Sequence, residues 1–203
     1  MSKIDNAIAK LIEFRGQQRI SEFKEVLKLI KEKQVKTILE IGAYEGGTTA
    51  AFLEMGCKVV SIDLEHKSNL EHENLIKLTG DSHSENIKLK LNDIIDSLDF
   101  GTFDLLFIDG DHTEIGVGKD YEEYMSFIKY DGIVCFHDIN DSKFHAKHGC
   151  YVSNYWKILA SKFKHTRTVI EICNTDNIWA NKDFEKMEGI EGAGGIGIIV
   201  FNN

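Results

Sequence analysis

Five short apolar runs punctuate the middle of the chain, VKTILEIG, CKVVSID, LIKLTGD, FDLLFID and GIVCFHD, and each closes on a glycine or an acid. Runs of this kind are what strands buried on both faces require. The stretches between them carry helical spacing. Thr48 to Met55 is one; Ser84 to Leu98 aligns Ile87, Leu91, Ile94, Ile95 and Leu98; Thr113 to Lys129 aligns Val117, Tyr121, Tyr124, Met125 and Ile128. Strand and helix in regular alternation predict a doubly wound α/β fold, mostly parallel, with helices on both faces of the sheet.

Two further strand-like runs, Thr166 to Cys173 and Gly195 to Phe201, are expected to close the sheet as a sixth and seventh strand. The expectation is therefore a Rossmann-like, seven-stranded sheet. Ahead of it, Ile4, Ile8, Leu11 and Ile12, then Ile20, Phe23, Leu27 and Ile30 after a break at Gly16, predict two helices. This divides the chain into N-terminal helices over 1–34 and an α/β domain over 35–203. After Asp138 a polar loop, NDSKFHAKHG, leads into a helix whose Val152, Tyr155, Trp156, Leu159 and Phe163 face inward as core packing. Right-handed crossovers place the carboxyl ends of parallel strands on one rim, so the polar residues that end the strands converge there.

Charge narrows the partners. The chain has 24 Lys and Arg against 33 Asp and Glu, a net charge of −9, and no segment gathers a basic stripe, which argues against nucleic acid. No apolar run approaches the roughly 20 residues that span a bilayer, and MSKIDNAIAK lacks the apolar centre of a signal peptide. A cytoplasmic protein with no membrane partner is expected, and an oligomer of identical chains is compatible with these features. Cys57, Cys135, Cys150 and Cys173 stand apart from one another and read as reduced thiols.

The stretch ILEIGAYEGGTTAAF joins a strand to a helix through Glu40, Gly42, Gly46 and Gly47. Glycine permits sharp turns and close approach of backbone to a ligand, and a helix N-terminus favours anionic groups. A dinucleotide fingerprint fails because Tyr44 stands where its second glycine belongs, and a P-loop fails because no Gly-Lys-Ser/Thr follows. The remaining pattern, E-x-G-x-x-x-G, resembles the first motif of class I S-adenosylmethionine-dependent methyltransferases. Asp63 ends the second strand where an acid can accept ribose hydroxyls, and Gly80, Asp81 and Ser82 end the third. The resemblance implies that Glu40, Gly42, Ala43, Tyr44, Gly46, Asp63, Asp81, Ser82 and Asp109 hold S-adenosylmethionine.

The fourth and fifth strands end in Asp109, Asp111 and His112, and in His137 and Asp138. As neighbours on the rim, Asp109, His137 and Asp138 can offer oxygen and nitrogen to one divalent ion, Mg²⁺ or Mn²⁺ before zinc. The run FIDGDHTEIGVGKDYEEYMSFIKYDGIVCFHDI and the ending GAGGIGIIVFN resemble metal-dependent sugar O-methyltransferases and their cephalosporin-biosynthesis relatives. That resemblance covers Val35 to Asn203 and implies the same three metal ligands, with His137 standing where a carboxylate is usual. It makes Asp109 and His112 the catalytic pair, His112 being the general base for an acceptor hydroxyl, and a small hydroxylic molecule, a sugar or glycoside, the acceptor. The helices of 1–34 and the loop after Asp138, with His145 and His148, would cover that acceptor. A catechol-type phenol O-methyltransferase, a cofactor-binding module without catalysis and a metal-dependent hydrolase are the rival readings.

Overall fold

The computed structural model describes residues 1–97 and 101–201 of the chain. Leu98, expected on the apolar face of a helix, lies outside the described residues, as does the end of the expected domain at Asn203. Two amphipathic helices come first, α1 (Lys3–Glu13) and α2 (Ile20–Glu32). Then β1 (Thr37–Ile41), α3 (Gly47–Glu54), β2 (Lys58–Asp63), β3 (Leu75–Thr79), α4 (Glu85–Ser97), β4 (Phe103–Ile108), α5 (Glu114–Tyr124) and β5 (Ile128–His137) follow the expected alternation. The chain continues through α6 (Lys143–Lys147), α7 (Val152–Phe163), β6 (Thr168–Ile172) and β7 (Ile196–Val200).

All seven strands join one sheet in the order β3-β2-β1-β4-β5-β7-β6. The first five are parallel; β7 runs antiparallel between β5 and β6, the closing pair read from the sequence. The order reverses direction at β1 and β4, and the crevice beyond such a reversal is where open α/β sheets bind ligands.

Successive side chains of the strands point to opposite faces of the sheet, and both faces are buried, which divides the core in two. Ile38, Val59, Leu105, Phe107 and Ile133 pack against α1, α2 and α3 on one side. Leu39, Val60, Leu106, Val134 and Phe136 pack on the other against Leu91 of α4, Tyr121 of α5, and Trp156 and Leu159 of α7. On the first face Phe23, Phe52 and Phe107 meet ring to ring, with centroids 5.4 to 6.1 Å apart. The N-terminal helices are thus fused to the sheet's own core. The helix expected to reach Lys129 stops at Tyr124, where a 3-10 turn intervenes and Ile128 opens β5. Ile128 fits either pattern, since from the strand it still enters the core of the second face.

The turn between α1 and α2 is wedged against the start of α3. A Cβ on Gly47 would stand 2.4 Å from the backbone N and Cα of Gly16, a separation that no rotamer can relieve. Replacing Gly47 by Ala must push this turn away from the sheet, at a cost of about 1–3 kcal/mol typical of overpacking. Thermal denaturation of Gly47→Ala should show a clearly lowered midpoint; an unchanged midpoint would mean that the α1–α2 turn is not rigidly seated.

Candidate active site

A cleft of about 680 Å³ opens at the carboxyl ends of β1 to β4, within the usual range for small-molecule sites. Its walls are the loop after β1, the ends of β2 and β3, the Asp109–His112 segment after β4, and the α1–α2 turn from Arg15 to Gln18. The loop after β1 can approach β4 only because it begins with glycine. Gly42 has φ +86°, and a Cβ there would lie 2.0 Å from the carbonyl oxygen of Asp109. Tyr44 also adopts a positive φ of 50°, a strained state for a non-glycine residue, which the surroundings must impose.

Asp63 imposes it. Its Oδ2 accepts the backbone N–H groups of Ala43 and Tyr44, each at 2.7 Å, while Oδ1 accepts that of Glu65 at 2.8 Å. The carboxylate therefore ties the loop to β2 and keeps lone-pair capacity on Oδ1 towards the cleft. Asp81 and Ser82 line the cleft beyond it. Ser82 Oγ donates to Asp120 Oδ1 at 2.8 Å, which anchors the end of β3 to α5. These features suit a nucleoside bearing ribose hydroxyls, in a cleft whose floor is bare backbone.

Glu40 departs from the expectation, for it is not on the cleft wall. Strand alternation turns it to the same face as Ile38, where it is fully buried. There it accepts hydroxyl hydrogen bonds from Thr48 and Thr49 of α3, both at 2.5 Å, and from Ser61 of β2 at 2.8 Å. It braces the helix that follows the loop. Gly46 likewise serves as the left-handed residue ahead of α3 and is not on the wall.

At the other end of the cleft, Asp109 gathers three other side chains. Its Oδ1 lies 3.2 Å from His112 Nε2 and 3.1 Å from His137 Nδ1. Its Oδ2 accepts from the Gln18 amide at 2.8 Å. Asp138, with φ +63°, turns its Oδ1 to within 3.4 Å of His137 Nδ1 and its Oδ2 to within 3.3 Å of His112 Nε2. Burial disfavours charge on all of these groups, yet their mutual attraction prevails. The carboxyls of Asp109 and Asp138 are held below the usual range by His137 and His112. His137, opposed by burial, is raised to about 9 by Asp109 and Asp138, and His112 is raised well above the ordinary imidazole value by the same pair.

Ligand atoms of Asp109, His137 and Asp138 lie within 4.8 Å of one another, so the expected metal ligands do meet. Two carboxylates and one imidazole form a donor set that fits a divalent ion of the Mg²⁺ or Mn²⁺ kind, and Asp109 is the member of the three that lines the cleft. His112 lines the cleft beside them, partly exposed.

Three participants are absent from the sequence reading. Gln18 is almost fully buried and reaches Asp109 from the α1–α2 turn. Arg19 and Glu22 are fully buried at the start of α2. Arg19 donates to the carbonyls of Ile190, Glu191 and Ala193 and lies over the Trp179 ring at 4.4 Å. Glu22 accepts the backbone N–H groups of Asn174 and Gly195. Together they bind the 174–195 segment to the start of α2, directly after the turn that carries Gln18. On an amphipathic helix such charges read as solvated surface, so the sequence holds no signal for them. His145, expected in the loop over the acceptor, lies instead in α6 and is buried.

Burial raises the Glu40 carboxyl from 4.5 to about 7, although the three hydroxyls oppose the shift. The folded state therefore holds a proton that the unfolded chain releases near pH 4.5. Glu40's contribution is complete below that pH and is lost as pH rises through about 7. The shift corresponds to about 3 kcal/mol. Glu40→Gln should remove this dependence, so that between pH 4 and pH 8 the unmodified chain loses about 3 kcal/mol more in denaturant unfolding than the variant does. Parallel stability curves for the two proteins would show that Glu40 is not buried as described.

Comparison with known proteins agrees with this geometry. Residues 39–139 match the family model described as a methyltransferase domain. Uncharacterized protein R132 of Acanthamoeba polyphaga mimivirus is 31% identical over 122 residues, 54% of this chain and 54% of that protein, so the chain spans about half the length of the curated relative it matches. The O-methyltransferase of Bacillus cereus, solved with S-adenosylhomocysteine (SAH), superposes with a TM-score of 0.58 at 16% identity over 98% of this chain and 91% of that one. The MycE methyltransferase of the mycinamycin biosynthetic pathway, solved with Mg and SAH, gives 0.55 at 15% identity over 91% of this chain and 49% of that one. With a glycine loop, three polar strand ends and the seven-stranded sheet in place, residues 39–139 match a methyltransferase domain and the chain has the fold of the solved O-methyltransferases.

Proposed function

We propose that the chain moves a methyl group from S-adenosylmethionine to a hydroxyl of a small acceptor, a sugar or glycoside, with Asp109, His137 and Asp138 holding a divalent ion. One observation carries this reading: Asp109 serves both halves of the cleft. Its backbone abuts Gly42 in the loop that would hold the cofactor, and its side chain meets His112, His137 and Gln18. A donor methyl and an acceptor oxygen held on either side of such a hinge point are fixed relative to each other. Positioning of that kind supplies much of the acceleration in bimolecular transfer.

Asp63, Asp81 and Ser82 would orient the nucleoside, leaving the sulfonium end near Asp109. In the transfer the methyl carbon–sulfur bond breaks as the carbon–oxygen bond forms, and the hydroxyl proton passes to His112 Nε2, which must enter this step deprotonated, as a cation held by Asp109 and Asp138 would favour. Asp109 and Asp138 hold that nitrogen from two sides, which fixes the ring's orientation before the acceptor arrives. A bound divalent ion supplies positive charge that lowers the acceptor hydroxyl's pKa and competes with the imidazoles for the carboxylates. The α1–α2 turn, Arg15 to Gln18, would cover the acceptor. MycE's structure with Mg and SAH supports pairing metal with cofactor in this fold.

The test is incubation of the chain with S-adenosylmethionine, Mg²⁺ and panels of sugars and catechols, followed by mass spectrometry. Methylated sugar is the expected product. Methylation of catechols alone would replace the acceptor class, and cofactor binding without any product would point to a binding module. His112→Ala should lower kcat on the order of 10²–10⁴-fold with little change in cofactor affinity; unaltered turnover would remove His112 from the chemistry.

A further inference from the structure

Beside the proposed metal triad, and sharing Asp138 with it, lie two further ligating side chains that methyl transfer leaves without a task. Asp138, His145 and Cys150 come from the residue after β5, from α6 and from the short link between α6 and α7, and their ligand atoms lie within 4.8 Å of one another. His145 Nδ1 is 2.8 Å from the carbonyl oxygen of Asn140, which can only accept, so the proton sits on Nδ1. The ring's other nitrogen, Nε2, faces Asp138 Oδ1 at 3.2 Å and receives the Gly194 N–H at 3.2 Å. With Nδ1 protonated, the one lone pair of Nε2 takes the Gly194 N–H, a 3.2 Å contact that a cation bound beside Asp138 Oδ1 would displace. A backbone carbonyl holding Nδ1–H so that Nε2 points inward is the usual outer support of a metal-binding histidine.

The backbone keeps the third donor in place. Cys150 N–H donates to the His145 carbonyl at 2.9 Å, and Tyr151 N–H to that of His112 at 2.7 Å. Cys150 is a buried free thiol. We infer that Asp138, His145 and Cys150 form a second cation site, selective for a soft divalent transition ion such as Zn²⁺ or Co²⁺ over Mg²⁺. Thiolate and imidazole donors favour such ions, and Mg²⁺ rejects them. Zinc-like bonds of about 2.0–2.3 Å put tetrahedral ligand atoms about 3.3–3.8 Å apart, so the Asp138–His145 pair is already close to its place and the widest pair need close by about 1 Å. The site goes beyond the methyl-transfer reading and shares only Asp138 with it.

Cobalt(II) titration of the metal-free full chain tests this. The expected result is a near-ultraviolet thiolate-to-cobalt charge-transfer band that is lost in Cys150→Ser and retained in Cys173→Ser and in Asp109→Asn. X-ray absorption of the cobalt-loaded unmodified chain should show one sulfur at about 2.3 Å, a measurement independent of whether a variant folds. Absence of the band and of the sulfur shell, or a band that survives Cys150→Ser, would overturn the site. Calorimetry with S-adenosylmethionine on the same sample keeps the two readings separate: cofactor binding without a cobalt–sulfur signal would defeat the second site alone, and the signal without cofactor binding would leave it standing.

Discussion

Three backbone hydrogen bonds carry the parallel ladder one step past the strands, and the candidate site depends on them. Gly42 N–H donates to Ile62, Asp109 N–H to Ile41 and Gly80 N–H to Asp63, at 2.8 to 2.9 Å. They keep the ends of β1, β2, β3 and β4 flush on one rim, so that side chains far apart in sequence emerge at one height. The rim is also where β1 lies between β2 and β4, the reversal in strand order that leaves a crevice no crossover fills. Without a glycine at 42 the first of these bonds could not coexist with the Asp109 carbonyl, since a side chain would occupy the same space.

The rim alone does not order the loop. Asp63 does so with one oxygen shared between two backbone N–H groups, and Glu40 does so from beneath by gripping the first turn of α3. The two acids divide the work by exposure. Asp63 is on the cleft wall and has capacity left for a ligand; Glu40 is sealed from water, and its whole capacity goes to three hydroxyls. A buried carboxylate bound only by neutral donors is expensive to ionise. That cost is the reason its carboxyl is pushed up to about 7, in contrast to those of Asp109 and Asp138 beside cationic imidazoles.

The strands were legible because burial on both faces writes itself as an apolar run, and their polar last residues marked the rim. The closing β6–β7 pair was legible for the same reason. Where two readings bury the same side chain, the pattern is silent: Ile128 continues a helical face and equally begins β5. Glu40 shows a different limit. Its place in E-x-G-x-x-x-G suggested the cofactor, whereas strand alternation with Ile38 sends it to the α3 side, an inference that was available from parity. Gln18 and Arg19 had no such route. Gln18 meets Asp109 across 91 positions, and Arg19 meets Ala193 across 174. Contacts of that span depend on how helices pack and not on any local period.

The exchange of a carboxylate for His137 changes what the cluster can do. Asp109 and Asp138 are compensated by protons on His137 and His112, groups that gain charge only because the carboxylates are there. A set of two acids and one histidine carries one negative charge fewer than three acids, and protons hold the lone pairs that a hard ion would need. Metal uptake at the proposed triad would have to expel protons, and its affinity would rise with pH more steeply than at an all-carboxylate site. The imidazole also shifts preference along the series from Mg²⁺ towards Mn²⁺ and Fe²⁺. With Glu22 close enough to His137 to favour its charged form, and itself gripped by Asn174 and Gly195, the N-terminal helices take part in that balance. Glu22 of α2 thus adds to the stronger pull of Asp109 and Asp138 on the charge of His137, the group placed where the chemistry would occur.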